Sequence, residues 1–373
     1  MQPVRNVGIL GAGFISQVHL QALRSTPGVR VAAVCDADSL KAGRLQQKWG
    51  IPQAFGDADE MLRSGAVDVV HVLLPPPLHV RAAVACLERG CDVFLEKPMA
   101  VTVAEGLSLR EAVAATGRTV GVNHNNTYHP AFLRLVDAVR DRKLGAVQHV
   151  TACLNVPLRQ LDAGQHGHWM FQQPGNIILE QACHPLSQIQ RLLGPVRRVA
   201  SLVTGETVLN NGRPFYSKWQ CSLECRRGTA QLFLSFGREY LDSWLYAVGQ
   251  DGAAMADFRR NLFRLSQKTR FMEPVDNAID SLAAARAMAG QGMANLTAYT
   301  LGFLKLRPPK DPFSTGMQLS IADFYARLAA GRAPREDVDA GLAVIAACEA
   351  IAASRETGSA AVPEDSREIA LHG

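Results

Sequence analysis

The strand-turn-helix pattern near the start of the chain constrains its fold more than any other feature. The stretch VGILGAGFISQVH, Val7 to His19, passes from an apolar run through two glycines into a segment of helical period. Short apolar runs of this kind, separated by helical segments, are typical of a parallel sheet covered by helices. The runs are Val7 to Leu10, Val31 to Cys35, Val67 to Leu74, Val93 to Leu95 and Thr119 to Val122.

The pattern changes after about residue 150. The stretch Tyr216 to Phe236 alternates polar and apolar residues, which predicts a mainly antiparallel sheet in a second domain. Helical segments are expected near 277–303, 316–331 and 338–354, and the Ala-rich tail after Thr357 is expected to fray. We therefore expect an α/β protein with one domain over 1–122 and another over 123–373, and a last helix able to pack between the two.

Charge and cysteine content exclude some classes of function. Lys and Arg number 39 against 34 for Asp and Glu, and no basic block or basic stripe interleaved with aromatic residues is visible. Nucleic acid is not expected as a partner, whereas an anionic small molecule is compatible with this charge. Eight cysteines without a C-x-x-C pair indicate reduced thiols, and neither a leader pattern nor an apolar run of about 18 residues occurs. A cytoplasmic protein without a membrane span is the expectation.

The glycine turn predicts a dinucleotide site. Gly11 would make the tight turn, and Gly13 would let a pyrophosphate approach the helix N-terminus. Ser16 stands where the usual fingerprint has Gly or Ala, so the motif is incomplete. Asp36 follows the second apolar run, where a carboxylate accepts hydrogen bonds from a ribose and repels a 2′-phosphate, so NAD is expected in preference to NADP. The expected contacts are Gly11, Gly13, Phe14, Ile15, Ser16 and Asp36.

A charged pair ends the apolar run Val93 to Leu95. Burying Glu96 or Lys97 without a partner would be costly, but ligands of such sheets bind at the carboxyl ends of the strands. We therefore expect both charges to face a cofactor and a substrate. A cis Lys97-Pro98 peptide bond is the expected way of aiming the ammonium group of Lys97. A surface ion pair capping the strand is the alternative. The expected cofactor contacts here are Leu74, Pro75, His79, Glu96, Lys97 and Asn125.

A second polar cluster lies in the stretch NIILEQACHPLSQI. Glu180 and His184 stand four residues apart, so on one helix they would share a face. A carboxylate beside an imidazole holds its tautomer and raises its basicity, as proton transfer requires. A structural helix with a satisfied polar pair would show the same sequence. Pro185 removes one helix hydrogen bond, and a kink is expected just beyond His184.

The loop between the predicted domains offers side chains for a hydroxyl-rich ring. The stretch RQLDAGQHGHWMFQQ carries Arg159, His166, His168 and Trp169, which suit hydrogen bonding and stacking. An ordinary loop with Trp169 packed under the sheet is the alternative. At the crossover between the domains, Asn123, Asn125 and Tyr128 are further, weaker candidates. The expected substrate contacts are Lys97, Tyr128, Arg159, His168, Trp169, Glu180 and His184.

These motifs together resemble the Gfo/Idh/MocA family of NAD(P)-dependent oxidoreductases. The resemblance rests on GAGFIS with His19, on Asp36, on Pro75 with His79 and above all on Glu96-Lys97-Pro98, and it continues nearly to the end of the chain. It implies an N-terminal Rossmann domain and a C-terminal α/β domain with a large, mainly antiparallel open sheet. It further implies assembly into a homodimer or homotetramer through that sheet.

The resemblance also implies roles for particular residues. Lys97, His184 and Glu180 would surround the reacting hydroxyl of a cyclic polyol, a sugar or a sugar conjugate, which exchanges a hydride with NAD(H). Glu180 departs from the family's usual Asp, and Ser187 stands where a further Asp is common, so the exact partner of Glu180 is open.

Other functions fit parts of the same sequence. A net non-redox epimerase or eliminating lyase with tightly bound NAD is the principal alternative. A dinucleotide-binding sensor without catalysis would leave Lys97, Glu180 and His184 unexplained. A metal-dependent hydrolase would use His166, His168, His184 and Glu180, but no two of these histidines stand at a rigid helical spacing, so no metal is expected.

Overall fold

The computed structural model describes residues 4–237, 240–269, 271–304, 306 and 311–362. The first elements are β1 (Arg5–Leu10), α1 (Phe14–Arg24), β2 (Val29–Cys35), α2 (Ser39–Trp49), β3 (Gln53–Phe55), α3 (Ala58–Arg63), β4 (Val69–Val72), α4 (His79–Glu88), β5 (Asp92–Leu95), α5 (Val103–Thr116) and β6 (Val120–Val122). The next are α6 (Pro130–Arg140), β7 (Val147–Pro157), α7 (Arg159–Asp162), α8 (Asn176–Gln181), α9 (Cys183–Leu193), β8 (Val196–Val208), β9 (Pro214–Cys225) and β10 (Gly228–Gly237). The last are β11 (Asp242–Gly249), β12 (Gly252–Asp257), β13 (Leu262–Gln267), α10 (Glu273–Phe303), α11 (Pro312–Ala329), α12 (Val338–Thr357) and β14 (Ser359–Ala361).

These elements divide into two compact units. The first contains the chain up to Asn125 together with Met317–Ala346. The second contains Asn126–Gly316 together with the described residues from Ala347 onward. The sequence pattern does not indicate that a segment as late as Met317–Ala346 belongs to the first unit. No helix in the described ranges is both long enough and apolar enough to cross a membrane.

The first unit is built on a six-stranded parallel sheet of order β3-β2-β1-β4-β5-β6. This order reverses direction beside β1, which is the mark of a doubly wound Rossmann sheet, and it confirms the fold predicted for the first domain. Five of its strands fall on the predicted apolar runs. The sixth, β3, is three residues long and half exposed, too short to leave a periodic signal.

A helix from far along the chain completes the core of this sheet. Phe94 of β5 packs in one cluster with Ile321, Phe324 and Tyr325 of α11. The ring of Phe324 lies so close to Gly121 that a Cβ at that position would stand 2.5 Å from it. Glycine is therefore required there because another element occupies the space of a side chain.

The second unit is built on an eight-stranded sheet of order β13-β12-β11-β7-β10-β9-β8-β14. Every pairing is antiparallel except that of β7 with β10, so the prediction of a large, mainly antiparallel sheet is confirmed. Alternate residues of β9, including Trp219 and Leu223, are buried on one face. The other face exposes Leu202, Phe233 and Tyr246.

The expected fraying after Thr357 is wrong for the first residues of the tail. Ser359 to Ala361 form β14, which pairs antiparallel with Arg198 to Ala200 of β8. Alanine and serine are weak strand formers, but an open strand edge supplies hydrogen-bond partners whatever the side chains are. The tail beyond residue 362 lies outside the described residues. None of the eight cysteines, all of which lie in the described ranges, forms a disulfide bond, and seven of them are buried.

The buried side chain of His129, at the start of α6, makes the stability of the fold depend on pH. It is the N-cap of α6, and its Nδ1 accepts a hydrogen bond from the Ala131 amide at 3.2 Å. Burial lowers the pKa of His129 to about 4, with the Arg134 charge adding to the effect and a hydrogen bond to the Phe258 backbone opposing it. The folded ring is therefore neutral down to acidic pH.

We expect His129→Asn to reduce the acid sensitivity of the fold. Below pH 6.5 the unfolded chain protonates this histidine and the folded chain does not, so stability is lost as pH falls from about 6.5 to about 4. Asn caps a helix without titrating, so the loss of unfolding free energy from pH 7.5 to pH 5 should shrink by about 2 kcal/mol. Urea unfolding at both pH values measures it. An unchanged pH difference would show that His129 titrates normally.

Candidate functional site

The glycine turn joins β1 to α1 at the carboxyl end of the parallel sheet. Gly11 has φ +106°, and a Cβ there would stand 2.6 Å from the Leu73 carbonyl oxygen, so no other residue fits. Gly13 is the N-cap of α1, and no atom lies within 4 Å of where its Cβ would be. Ser16 is buried, and its Oγ donates to the Gly13 carbonyl at 2.6 Å. The turn is therefore closed on the sheet side and open in front of the helix N-terminus.

Asp36 follows β2 and holds the turn from the side. Its Oδ2 accepts a hydrogen bond from the Ala12 amide at 2.8 Å, and its Oδ1 accepts one from the Asp38 amide at 2.8 Å. Each oxygen keeps a second lone pair, so the half-buried carboxylate still has acceptor sites for two hydroxyls. The first turn of α1 contains no acidic side chain that would repel a phosphate. These residues fit a dinucleotide.

His79 connects two strand ends in the same unit. Its Nδ1 lies 2.8 Å from the Pro98 carbonyl oxygen and its Nε2 2.6 Å from that of Leu74. Burial lowers the pKa of His79, so the ring is neutral and donates to one of the two carbonyl groups. Because the ring is buried, any role toward a cofactor is indirect, through the backbone of Leu74 and Pro98. The Lys97–Pro98 peptide bond is cis.

Glu96 is the centre of a buried hydrogen-bond network. Its Oε1 accepts from His19 Nε2 at 2.7 Å and from Asn123 Nδ2 at 2.6 Å, and its Oε2 accepts from the Lys97 amide at 3.2 Å. Asn123 in turn accepts from Ser320 Oγ of α11 at 2.9 Å. Burial opposes the ionisation of Glu96, but hydrogen bonds from His19 and Asn123 and the charges of His19 and Lys97 outweigh it and lower its pKa to about 2. Glu96 is therefore a buried carboxylate.

The network extends from His19 to α11 in one direction. His19 Nδ1 lies 2.8 Å from His71 Nδ1, and His71 Nε2 lies 2.9 Å from Tyr325 Oη. Burial, followed by the charge of His19, lowers the pKa of His71 well below its usual value, and burial raises that of Tyr325. Both ring nitrogens of His19 and of His71 therefore have hydrogen-bond partners inside the core, and Tyr325 keeps its hydroxyl proton.

This network corrects one expectation from the sequence. Glu96 does not face outward with Lys97: its carboxylate is buried among protein donors, whereas Lys97 is half-buried. The sequence reasoning missed His71, Ser320 and Tyr325 altogether. The available signal was a histidine inside the apolar run Val67 to Leu74, a residue that a buried strand keeps only when its ring nitrogens are paired.

The second cluster lies on two consecutive helices of the second unit. Glu180 belongs to α8 and His184 to α9, and a one-residue turn at Ala182 separates them. The break precedes His184, whereas we expected a kink beyond it. Pro185 explains the position, because it lacks the N–H that would bond to the Gln181 carbonyl one turn earlier. Glu180 and His184 are both half-buried.

Other predicted substrate residues are tied to the same two helices. Gln188 of α9 donates to the Asn126 carbonyl at 2.8 Å, and the Arg191 guanidinium lies 5.9 Å from the Tyr128 ring centre. Asn176 of α8 donates to the Trp169 carbonyl at 2.8 Å. His168 caps the short 3-10 turn that begins at Trp169. The second unit therefore holds the crossover segment and the polar loop against the helices that carry Glu180 and His184.

The remaining predicted residues are placed as follows. Leu74, Pro75, Glu96 and Lys97 follow neighbouring parallel strands of the first unit, and Asn125 is the last residue of that unit before the crossover. Arg159 begins α7 in the second unit. His166 is buried, and its Nδ1 accepts from the Asn210 amide at 3.1 Å. Within the described ranges, no group of three or more His, Cys, Asp or Glu residues is placed to hold a metal ion.

The fold and the glycine turn define a dinucleotide-binding protein of the Rossmann class. Residues 5–124 match the model of the oxidoreductase family with an NAD-binding Rossmann fold, and residues 132–254 match the GFO/IDH/MocA C-terminal domain. The chain belongs to the GFO/IDH/MocA family. The family resemblance predicted from the sequence and the prediction of NAD as cofactor are thereby confirmed.

Individual relatives show the range of the family. D-apiose dehydrogenase of Paraburkholderia graminis is 28% identical over 204 residues, which cover 54% of each chain. The match thus spans about half the length of that relative. The rhizopine catabolism protein MocA of Rhizobium meliloti is 26% identical over 258 residues, or 68% of this chain and 78% of that protein. Levoglucosan dehydrogenase in complex with NADH has the same fold, with a TM-score of 0.78 at 17% identity over 96% of this chain and 99% of that one.

Tyr325→Phe should destabilise the protein by about 1 kcal/mol, because His71 Nε2 would lose its hydrogen-bond partner inside the core. The control is Tyr246→Phe, which removes a hydroxyl from an exposed ring and should change the unfolding free energy by less than about 0.5 kcal/mol. Urea unfolding at pH 7.5 compares the two. Equal effects would contradict a contribution of the Tyr325 hydroxyl to the buried network.

Proposed function

We propose that this protein transfers a hydride between NAD(H) and a secondary alcohol or ketone of a cyclic polyol, a sugar or a sugar conjugate. The observation that carries the proposal is the strand end Glu96-Lys97-Pro98. A buried, ionised Glu96 accepts a hydrogen bond from the backbone of the half-buried Lys97. Both residues follow β5 at the carboxyl end of the parallel sheet, where the glycine turn follows β1. Such an arrangement supports the proposal of a cation held beside a dinucleotide, which a sensor without catalysis would not need.

Residues of the first unit would hold the cofactor. The open backbone at Gly13 and the N-terminus of α1 suit the pyrophosphate, and Asp36 suits the adenosine ribose. Phe14 is largely exposed beside this turn, where its ring is available for contact. Bound NAD supplies the hydride acceptor, and the chain must supply geometry and proton transfer.

Lys97 is proposed to respond to charge that develops on the substrate oxygen. An ammonium aimed at an alkoxide stabilises the transition state more than the neutral alcohol, because negative charge develops on the oxygen as its proton leaves and disappears again once the departing hydride has left a C=O bond. Its neighbour Glu96 contributes by hydrogen-bonding the Lys97 amide, and the carboxylate keeps its charge over the whole physiological pH range.

His184 is proposed to take the hydroxyl proton, with Glu180 orienting its ring. The pair stands on consecutive helices and is half-buried, which leaves both side chains partly accessible to a substrate. Tyr128, Arg159, His168 and Trp169 are proposed to bind the hydroxyl-rich ring. The assembly of these residues with Lys97 around one substrate is part of the proposal.

The substrate class is supported by the names of relatives. D-apiose dehydrogenase and levoglucosan dehydrogenase are both named for carbohydrate substrates. We also propose a cytoplasmic location, which agrees with eight cysteines that form no disulfide bond. We further propose a homodimer or homotetramer through the sheet face that exposes Leu202, Phe233 and Tyr246.

A panel of sugars, inositols and glycosides, each offered with NAD or NADP, tests the function. We expect a cyclic substrate to generate absorbance at the wavelength of the reduced cofactor, with faster turnover for NAD because Asp36 repels a 2′-phosphate. Reaction with open-chain acids alone would refute the substrate class, and clearly better use of NADP would refute the role of Asp36. Product formation without free NADH would instead establish the epimerase or lyase alternative.

Lys97→Ala and His184→Ala should each lower turnover by about a hundredfold or more, because positioned acid-base and electrostatic groups typically contribute that much. The dissociation constant for NADH should change little, since neither side chain is proposed to anchor the pyrophosphate. Lys143→Ala and His149→Ala are controls of the same residue types outside the proposed site. Near-normal turnover of His184→Ala would remove that residue from the mechanism.

A further inference from the structure

The helix α10 places its polar side against its own sheet. This helix of 31 residues, about 46 Å long, lies along the edge strand β13 in the second unit. Gln291 accepts from the Phe263 amide at 2.8 Å and donates to the Phe263 carbonyl at 2.8 Å. Asp280 accepts from Arg264, and Asn295 donates to the Arg260 carbonyl. Its inward contacts are thus largely hydrogen bonds.

The opposite side of α10 carries an exposed apolar stripe. We call it the outer stripe and define it by positions that repeat every three and four residues: Val275, Ile279, Leu282, Arg286, Ala289, Met293, Leu296, Thr300 and Phe303. Leu282, Met293 and Phe303 are 73%, 63% and 75% exposed. At 100° per residue these positions lie opposite Asp280, Gln291 and Asn295. An exposed stripe of this length, apolar at every position except Arg286 and Thr300, indicates a binding surface.

The spacing of the outer stripe indicates another helix as its partner. A strict alternation of three and four residues is the 3.5-residue repeat of a coiled coil, in which apolar residues of one helix fill holes of another. A surface that binds a sheet or a small molecule does not require this period, whereas the stripe keeps it over four heptads, from Val275 to Phe303.

We propose that the outer stripe binds a second copy of the same helix, antiparallel to the first. Pairing about a two-fold axis between Ala287 and Met288 sets Leu282 opposite Met293 of the second copy and Ile279 opposite Leu296 of that copy. At the centre Arg286 crosses the small Ala289, and at the ends Met272, 77% exposed, meets Phe303. A two-fold axis makes every such contact twice, so one sequence supplies both halves of the interface.

The area is sufficient for a stable pair. Six exposed apolar side chains of the stripe together with Met272, at roughly 100 Å² each, supply about 700 Å² per subunit, close to the roughly 800 Å² per partner of a standard interface.

Charge argues against a membrane surface as the occupant. The helix carries Glu273, Asp276 and Asp280 against one basic residue, Arg286. Helices that lie on membranes carry Lys and Arg on the polar side, whereas here that side is acidic and bonded to the edge strand of its own sheet.

Reciprocal charges on the full chain test the pairing. Leu282→Glu and Met293→Lys should each halve the molecular mass measured by light scattering at micromolar concentration, because a charge would be buried in an apolar layer. The double variant should recover the parent mass, because each new acid would face a new base across the two-fold axis. Met288→Glu, which changes an exposed apolar residue of α10 outside the stripe, should have the parent mass.

Two results would overturn the proposal. One is a parent mass that Leu282→Glu leaves unchanged while circular dichroism shows both proteins folded. The other is sedimentation of the parent with vesicles of anionic phospholipid that Leu282→Glu abolishes, which would assign the stripe to a membrane surface. Failure of either kind leaves the dehydrogenase assay unaffected, so the two proposals are tested separately.

Discussion

The buried carboxylate of Glu96 is the interaction on which the first unit depends. Removing an ionised carboxylate from water costs several kcal/mol unless donors replace the lost solvent. Three donors do so here, from His19 of α1, from Asn123 after β6 and from the Lys97 amide after β5. Because these groups belong to different elements, one carboxylate fixes the first helix and two strand ends together. The glycine turn precedes that helix, so the turn and the backbone of Lys97 are both held in place through Glu96.

The shifted pKa values of Glu96, His71 and Tyr325 keep these three groups in one protonation state at physiological pH. The folded pKa of Glu96, about 2, lies below its unfolded value of 4.5, so its contribution to stability is complete above pH 4.5 and disappears only toward pH 2. His71 is neutral because burial, and after it the charge of His19, lowers its pKa, and Tyr325 keeps its proton because burial raises its pKa.

Local motifs account for what the sequence could predict. Gly11, Gly13 and Asp36 predict the turn because backbone geometry requires those residue types within a short segment. Glu96-Lys97-Pro98 predicts a strand end for the same reason. The parts that escaped prediction depend on residues distant in sequence. Phe324 and Tyr325 pack into the core of a sheet whose last strand ends about 200 residues earlier in the chain. β14 is a strand only because the edge of β8 supplies its hydrogen-bond partners. The break at Ala182 could be predicted in part. Pro185 predicts a break, but only the direction of helix hydrogen bonds places that break before His184 and not after it.

The large sheet shows why a helix would turn its polar side inward. A long antiparallel sheet ends in a strand with unpaired amides and carbonyls, and an exposed edge of this kind invites pairing with other chains. Gln291 and Asn295 bond to the backbone of β13 and the turn before it with side-chain amides, which offer both a donor and an acceptor as a further strand would. A helix that protects an edge with amide side chains must carry its apolar residues on the opposite side, since the sheet side is already occupied. The outer stripe therefore follows from the protection of β13, and a second copy of the helix would cover the stripe in a closed two-fold contact.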